Sequence, residues 1–412
     1  MKKGSLLVLF LAVFIDLLGF GIVVPLLSFY AQTYGASGFV LGGILASYSL
    51  MQFFFSPIWG RLSDRVGRRP VLIGALSGNV AGYLIFAFSQ SIALLMLARI
   101  VSGMCAANIA TAQAYVADST TPENRSKGMG LIGAAFGLGF IFGPPAGGIL
   151  AHVGQEHGMH GNFLPGLFAA SLSLAAVLIA TFSLPESKSP DTTPRRKRPP
   201  QFDAEVWRMI FRDRRLALGI AALALLVLSF SALEPTVVLH GRARFGFSPK
   251  ELGYFFGFMG IIVAGVQGGV IGRITRRFGD AGTALIGGIS AFLGLAIIPS
   301  IYTVPFLFAV AFFLAIGQAF CYPAVNAHIT KVSPADQRGS VLGLSAAMGS
   351  LSRVIGPLMA GVLFDRWQSA GAFYGQAICV ALGVALTIAL VRLMKNEPAV
   401  AAEVEPDYST SV

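Results

Sequence analysis

Four ionisable residues lie inside long apolar runs of this 412-residue chain: Asp16, Arg99, Glu234 and Arg353. Each costs about 2.5–3.5 kcal/mol near the centre of a membrane helix, so each is expected to face a protein interior or a watery cavity and is a functional candidate. Burial disfavours the charged form of a carboxyl, which makes proton exchange at Asp16 feasible near neutral pH. The competing readings of Asp16 are a helix-packing hydrogen bond and a permanently ionised gate. Arg99 keeps its proton. With Asp16 as its expected partner it would assist proton release, or the two would form a static ion pair. Glu234 stands ahead of Pro235, toward the outer end of its run. It would bind a proton or a cationic cargo, or pair with Arg242 or Arg244 as an outer gate. Arg353 would favour an anionic or zwitterionic cargo, or snorkel to a nearby membrane surface.

Uncharged polar residues extend the list of cavity candidates: Gln52, Asn108, Gln113, Tyr115, Gln267, Gln318, Tyr322 and Asn326. Each has a plainer reading as an interhelical hydrogen bond. His152, His157 and His160 have irregular spacing with glycines between them, which reads as a solvated loop rather than a metal site. Cys105, Cys321 and Cys379 all sit in apolar runs and predict neither a disulfide framework nor a metal cluster. No nucleophile–base set appears, so an enzyme is not expected.

The elements that must hold these residues are membrane spans. The chain is 55% hydrophobic and 12% charged, against roughly 25% charged residues in soluble domains. Twelve apolar segments reach or approach the roughly 20 residues of one crossing: about 5–30, 38–59, 70–89, 92–117, 128–150, 163–184, 216–239, 250–272, 281–299, 304–330, 339–363 and 371–394. Lys2-Lys3 ahead of the first run resembles a signal peptide. Asp16 and Pro25 interrupt that run, and it reads as a retained span. Of the 30 Lys and Arg, all fall on the side that holds both termini except Arg242, Arg244, Lys250 and Arg366 opposite and Arg99 and Arg353 within spans. That asymmetry predicts cytoplasmic termini. It also accounts for the net charge of +11 without a nucleic-acid partner.

The fold class is therefore an all-α polytopic membrane protein with two six-helix bundles, 1–184 and 216–394. The stretch 185–215 between them holds five prolines and the basic run Arg195-Arg196-Lys197-Arg198. It reads as a flexible cytoplasmic linker that sets topology and touches anionic lipid, with a regulatory role as the alternative. Its part from Phe202 to Arg215 has the makings of an amphipathic surface helix. The tail, 395–412, is acidic and reads as disordered.

The two bundles repeat one another. Gly60-Arg61-Leu62-Ser63-Asp64-Arg65-Val66-Gly67-Arg68-Arg69-Pro70, a short basic turn between spans two and three, recurs in worn form at Gly272-Arg273-Ile274-Thr275-Arg276-Arg277-Phe278-Gly279-Asp280. Pro122, Arg125 and Gly143-Pro144 then match Pro334, Arg338 and Gly356-Pro357 after one insertion. Two such halves usually frame a substrate path at their interface. Asp64 lies among guanidiniums that favour its charged form. Arg276 takes its place in the second copy, which is expected to contribute mainly orientation charge.

These features resemble the major facilitator superfamily, in particular its drug:proton antiporter branch with the tetracycline exporters, over nearly the whole chain. The Gly60–Pro70 turn resembles motif A. Arg99 with Gly103 resembles motif B. Gly133, Gly137, Gly143, Pro144, Gly147 and Gly148 resemble the antiporter motif C. The run Asp16–Pro25 is similar to the first-span motif of the drug-exporter branch. Asn79 in span three, and span nine with no acid at all, depart from the tetracycline pattern. The resemblance implies a latch in which Asp64 meets the start of span eleven, where a helix N-terminus attracts anions. Gly60, Arg61, Arg65, Gly67 and Arg68 belong to that latch, and Asp118 joins it through Arg65. Without the resemblance, the turn is one that sets topology. The resemblance further implies proton coupling through Asp16, Arg99 and Glu234, and export of small hydrophobic organic molecules by alternating access. No cofactor beyond a proton gradient is expected. The expected partners are substrate, protons and lipid, and the expected form is a monomer in the inner membrane. The alternatives are a specific metabolite or organic-anion transporter by symport or uniport, and more remotely a receptor or lipid scramblase.

Overall fold

The computed structural model describes residues 4–106, 108–187, 208, 210, 212–334 and 337–396. The apolar runs are helical because a helix satisfies its backbone N–H and C=O groups within one segment, which hydrocarbon requires. The helices are α1 (Gly4–Thr33), α2 (Gly38–Val66), α3 (Arg68–Ala87), α4 (Ile92–Met104), α5 (Asn108–Ser119), α6 (Pro122–Glu156), α7 (Phe163–Ser183), α8 (Arg214–Phe245), α9 (Pro249–Gly265), α10 (Ile271–Ile297), α11 (Val304–Val332) and α12 (Arg338–Asn396).

Ten helical stretches are long and apolar enough to cross a membrane. Two of them, Pro249–Ser300 and Ser340–Leu393, run 52 and 54 residues, about twice one crossing. Each breaks at a non-helical point, Gly279 (φ 71°) in one and Trp367-Gln368 (Gln368 φ 55°) in the other. The Thr275 and Thr283 hydroxyls meet at 3.2 Å across the first break, so the chain doubles back there. Counting each as two gives twelve spans among the described residues. Span four is α4 plus α5, broken at Cys105-Ala106. Span eight is α9 continued through a π-helical turn, Val266–Val270, into the start of α10.

The expected loop Gly60–Pro70 is mostly helix. α2 runs on to Val66, and only Gly67, at φ 105°, leaves the helical region. Pro70 sits in the first turn of α3, where its missing N–H is not needed. Gly67 and Gly279, equivalent in the repeat, are both at positive φ, which glycine adopts without steric cost. The basic run of the linker and residues 397–412 of the tail lie outside the described residues. Of the amphipathic helix expected over 202–215, residues 208, 210 and 212 are helical and much of the rest is likewise outside.

α1–α7 pack mainly on one another, as do α8–α12. Large apolar side chains stand exposed around both groups, among them Phe54, Phe182, Ile261, Phe306 and Ile378, as a lipid-facing surface requires. Two seams join the groups, and both lie toward the face opposite the Gly67 turn. In one, α6 meets α9: a Cβ added at Gly253 would come 2.5 Å from the Pro144 carbonyl oxygen, and one at Gly148 equally close to that of Pro249. In the other, α2 meets α12: a Cβ at Gly38 would lie 2.6 Å from the Gly361 carbonyl oxygen, and one at Gly42 would collide with Pro357. On the turn face, Gly60 in α2 and Gly343 in α12 have open space where a side chain would go. The two groups thus touch at one face and splay at the other.

Candidate functional site

Asp16 lies near the middle of α1 and is 2% exposed. Asn79 Nδ2 on α3 donates to its Oδ1 at 2.8 Å. Arg99, on α4 and 5% exposed, is not held by Asp16 as expected. Its guanidinium lies 4.4 Å above the Tyr48 ring and 5.5 Å from that of Phe20, it makes no ion pair among the described residues, and its Nε has no hydrogen-bond partner there. The reason is rotational. The expected Asp16–Arg99 pair needed α1 and α4 to present those side chains to one another, and α2 instead inserts Tyr48. The Arg99 guanidinium thus rests on the Tyr48 ring rather than on a carboxylate.

Glu234 on α8 pairs with neither arginine that sequence spacing offered. Ser28 Oγ, on α1, donates to its Oε1 at 2.7 Å, a bond between the two halves. Arg242 instead donates to the Phe29 carbonyl and the Thr33 hydroxyl at 3.0 and 3.1 Å. Arg244 stacks 3.8 Å over the Tyr302 ring. Both arginines emerge about two to three turns beyond Glu234, past its reach.

Arg353 sits midway along the part of α12 that precedes Trp367, too far from either end to snorkel. Its Nη2 donates to Ser350 Oγ at 3.0 Å. With Tyr322, Asn326, Ser345, Leu223 and Leu342 it lines a cavity of about 210 Å³. Of the other polar candidates, Gln52 donates to the Ala106 carbonyl at 3.4 Å, and Gln113, Gln267 and Gln318 are exposed on their helices. Asn108 opens α5, and its side chain lies outside the described set. Tyr115 is buried and its hydroxyl donates to the Pro185 carbonyl at 2.8 Å. It therefore ties α5 to the chain beyond α7 and does not line a cavity.

At the turn, Asp64 and Asp118 are joined through Arg68 rather than Arg65. Arg68 Nη1 meets Asp64 at 2.7 Å and its Nε meets Asp118 at 2.9 Å, with Arg68 only 4% exposed. Arg65 and Arg61 stand exposed. Glu186, unsuspected from sequence, accepts the backbone N–H groups of Arg68 and Arg69 at 2.8 and 3.1 Å, capping α3 at its positive end. The second turn is more than orientation charge. Asp280, at the repeat position of Arg68, pairs with Lys331, one place beyond the repeat position of Asp118, so the second half carries an ion pair close to the first-half bridge with the charges reversed.

In α6 the glycines of the antiporter motif serve two neighbours. Gly143 and Gly147 lie against Gly21 and Ile22 of α1, while Pro144 faces Gly253 of α9. Gly133 has open space and Gly137 reaches only Ala264. Among the described residues no group of three or more His, Cys, Asp and Glu could hold a metal, and His152 lies 3.3 Å from Glu156 one turn away on α6.

Reasoning from sequence also missed the partners Asn79, Tyr48 and Ser28, and Asp365. The last accepts the backbone N–H groups of Gly38 and Phe39 at 2.7 and 2.9 Å, so a carboxylate of the second half caps the N-terminus of a first-half helix. Only the presence of an acid one residue before Arg366, at the end of an apolar run, offered a signal.

A family model described as Major Facilitator Superfamily matches residues 9–304 and 268–408. Tetracycline resistance protein, class B, of Escherichia coli is 31% identical over 393 residues, covering 91% of this chain and 94% of that protein. Multidrug resistance protein 2 of Bacillus subtilis is 29% identical, covering 88% of this chain and 90% of that protein. Among solved structures, the human organic anion transporter MFSD10 (TETRAN) superposes with TM-score 0.68 at 25% identity, over 93% of this chain and 99% of that one. A bacterial homologue of the lysosomal transporter Spinster reaches TM-score 0.79 at 13% identity, over 97% of this chain and 100% of that one, a likeness of fold alone.

Proposed function

The chain belongs to the major facilitator superfamily, and from that premise we propose that it is a proton-coupled exporter of small, mostly hydrophobic organic molecules working by alternating access. The similar tetracycline and multidrug resistance proteins support export of such compounds. The observation that carries proton coupling is the buried Asp16 carboxyl at mid-helix, hydrogen-bonded to the neutral amide of Asn79. An amide can donate to the carboxylate and, after rotation, accept from the protonated acid, so Asp16 gains or loses a proton without losing that partner.

In this reading Arg99, fixed over Tyr48, supplies constant positive charge to the Asp16 pocket. Glu234 acts as a second proton or gate group, because its bond from Ser28 must break when the face opposite the turn opens. The turn cluster of Gly60, Arg61, Asp64, Arg65, Gly67, Arg68 and Asp118 is the conformational latch, with Arg68 as its hub. Glycines 133, 137, 143 and 147 with Pro144 form the bent helix between spans one and eight. Gln52, Asn108, Gln113, Gln267, Gln318, Tyr322, Asn326 and Arg353 supply the polar surface met by cargo. The chain works as a monomer in the inner membrane, with both termini in the cytoplasm and the proton gradient in place of a cofactor.

The test is transport in proteoliposomes under an imposed pH gradient, with cationic, anionic and neutral compounds. Asp16→Asn is expected to reduce gradient-driven export more than about 100-fold, a general acid–base loss, while downhill exchange persists. Gradient-driven export unchanged in this variant would remove Asp16 from coupling.

A further inference from the structure

We propose that the Arg353 cavity is a subsite for an organic anion, taking the carboxylate of an amphipathic cargo. This rests on the transporter reading above and adds the charge of the cargo to it. Among the described residues, Arg353 is the only one of formal charge that lines the cavity. Among the described residues it makes no ion pair, and its described hydrogen bond, to Ser350, leaves most of its guanidinium donors unspent. Asp16 and Glu234, the membrane acids, are each hydrogen-bonded elsewhere and neither lines the cavity.

A second observation comes from Ser345. It is 2% exposed, lines the same cavity, and its hydroxyl has no hydrogen-bond partner among the described residues. A buried hydroxyl without a partner is uncommon in a native fold and calls for an explanation. Tyr322 and Asn326 add a phenol and an amide to the same wall. All four polar groups donate hydrogen bonds, and none carries negative charge. The Arg353 charge disfavours a cation, and the set accepts a carboxylate, which the planar guanidinium holds through two parallel bonds. Leu223 and Leu342 leave the remainder of the wall apolar, which suits a hydrocarbon or aromatic body. The repeat sharpens the assignment. The position equivalent to Arg353 is Phe140, which packs on Phe20 and Phe136 in the first half. The two halves therefore present an aromatic and a cation at one symmetry-related place, and only the second half is an anion subsite.

The experiment uses the purified full-length protein and two probes of one shape, 1-naphthaleneacetate and 1-naphthaleneacetamide. Calorimetric binding is expected to favour the acid about tenfold or more, the worth of one charge-assisted pair. Arg353→Gln, lowering acid affinity about tenfold more than amide affinity, is expected to abolish that preference. Arg353→Lys should retain about a third of it, because a point charge replaces the fork. Ser345→Ala should weaken the acid about threefold more than the amide. If Arg353→Gln fails to fold, the lysine and alanine variants carry the test. Equal binding of the two probes by the unsubstituted protein overturns the proposal. So does an acid preference that survives Arg353→Gln, or equal loss of both probes in every variant. Gradient-driven export of neutral compounds with no acid preference would remove this subsite and leave the exporter reading standing. An Arg353-dependent acid preference with no response to a pH gradient would do the reverse.

Discussion

The two seams that join the halves are copies of one another in backbone and differ in charge. At α6·α9, Pro144 faces Gly253 and Gly148 faces Pro249; at α2·α12, Pro357 faces Gly42 and Gly361 faces Gly38. These two contacts of one seam recur at the repeat positions of the other. The helix ends are finished differently. α9 is capped from within, by Ser248 and Glu251 in a reciprocal capping box. α2 has its own Ser37 hydroxyl bonded to Val40 N, and its first N–H groups also receive the Asp365 carboxylate from the opposite half. The repeat position of Asp365 is His152, which pairs within its own helix. Duplication thus preserved the steric fit, which depends on glycine, and let the electrostatics diverge. The α2·α12 seam is fastened across the halves, while the α6·α9 seam is only packed.

Substitutions at the two seams separate sterics from charge. The largest effect is expected from Gly42→Val, since no Cβ fits against Pro357 in the closed seam. Transport should fall at least about 30-fold, and Gly253→Val should do the same at the other seam. Spin labels at Ala36 and Ala370, on the face opposite the turn, should report a longer distance distribution in Gly42→Val. Asp365→Asn should act next, shifting the same distribution toward the open form about three- to tenfold, the range of a charged cap at a helix N-terminus. An unshifted distribution would reduce Asp365 to a local cap. Ser248→Ala should speed amide exchange at 250–252 about fivefold and leave the label distances alone, because that cap stays within one half. His152→Ala should alter neither readout by more than about twofold, as an exposed pair on one helix predicts. If His152→Ala opened the seam as Asp365→Asn does, the contrast between the seams would be lost.

Much of the architecture was legible in the chain. The apolar runs are set by the thickness of hydrocarbon, so their number and order follow from composition alone. The repeated Gly67 and Gly279 turns mark equivalent breaks because both need positive φ. The intramembrane charges Asp16, Arg99, Glu234 and Arg353 announced themselves by their cost in an apolar run. What those charges touch was not legible. Asp16 was expected beside Arg99 and is bonded by Asn79. Arg99 lies on Tyr48, Glu234 is bonded by Ser28, and Asp118 is reached by Arg68 rather than Arg65.

The physical reason is common to all of these. A soluble helix shows its buried face as an apolar stripe, which fixes its rotation about its own axis. Helices that are apolar all round, as α1 and α11 are here, carry no such mark, and their rotation is decided by packing against neighbours distant in sequence. Composition, repeat and motif spacing by themselves determined that this is a duplicated, multi-pass membrane protein, and which residues are costly enough to matter. Only the tertiary structure decided the pairings, the cavity that joins Arg353 to Ser345, and the bond from Asp365 to α2, because each depends on which face a helix turns inward.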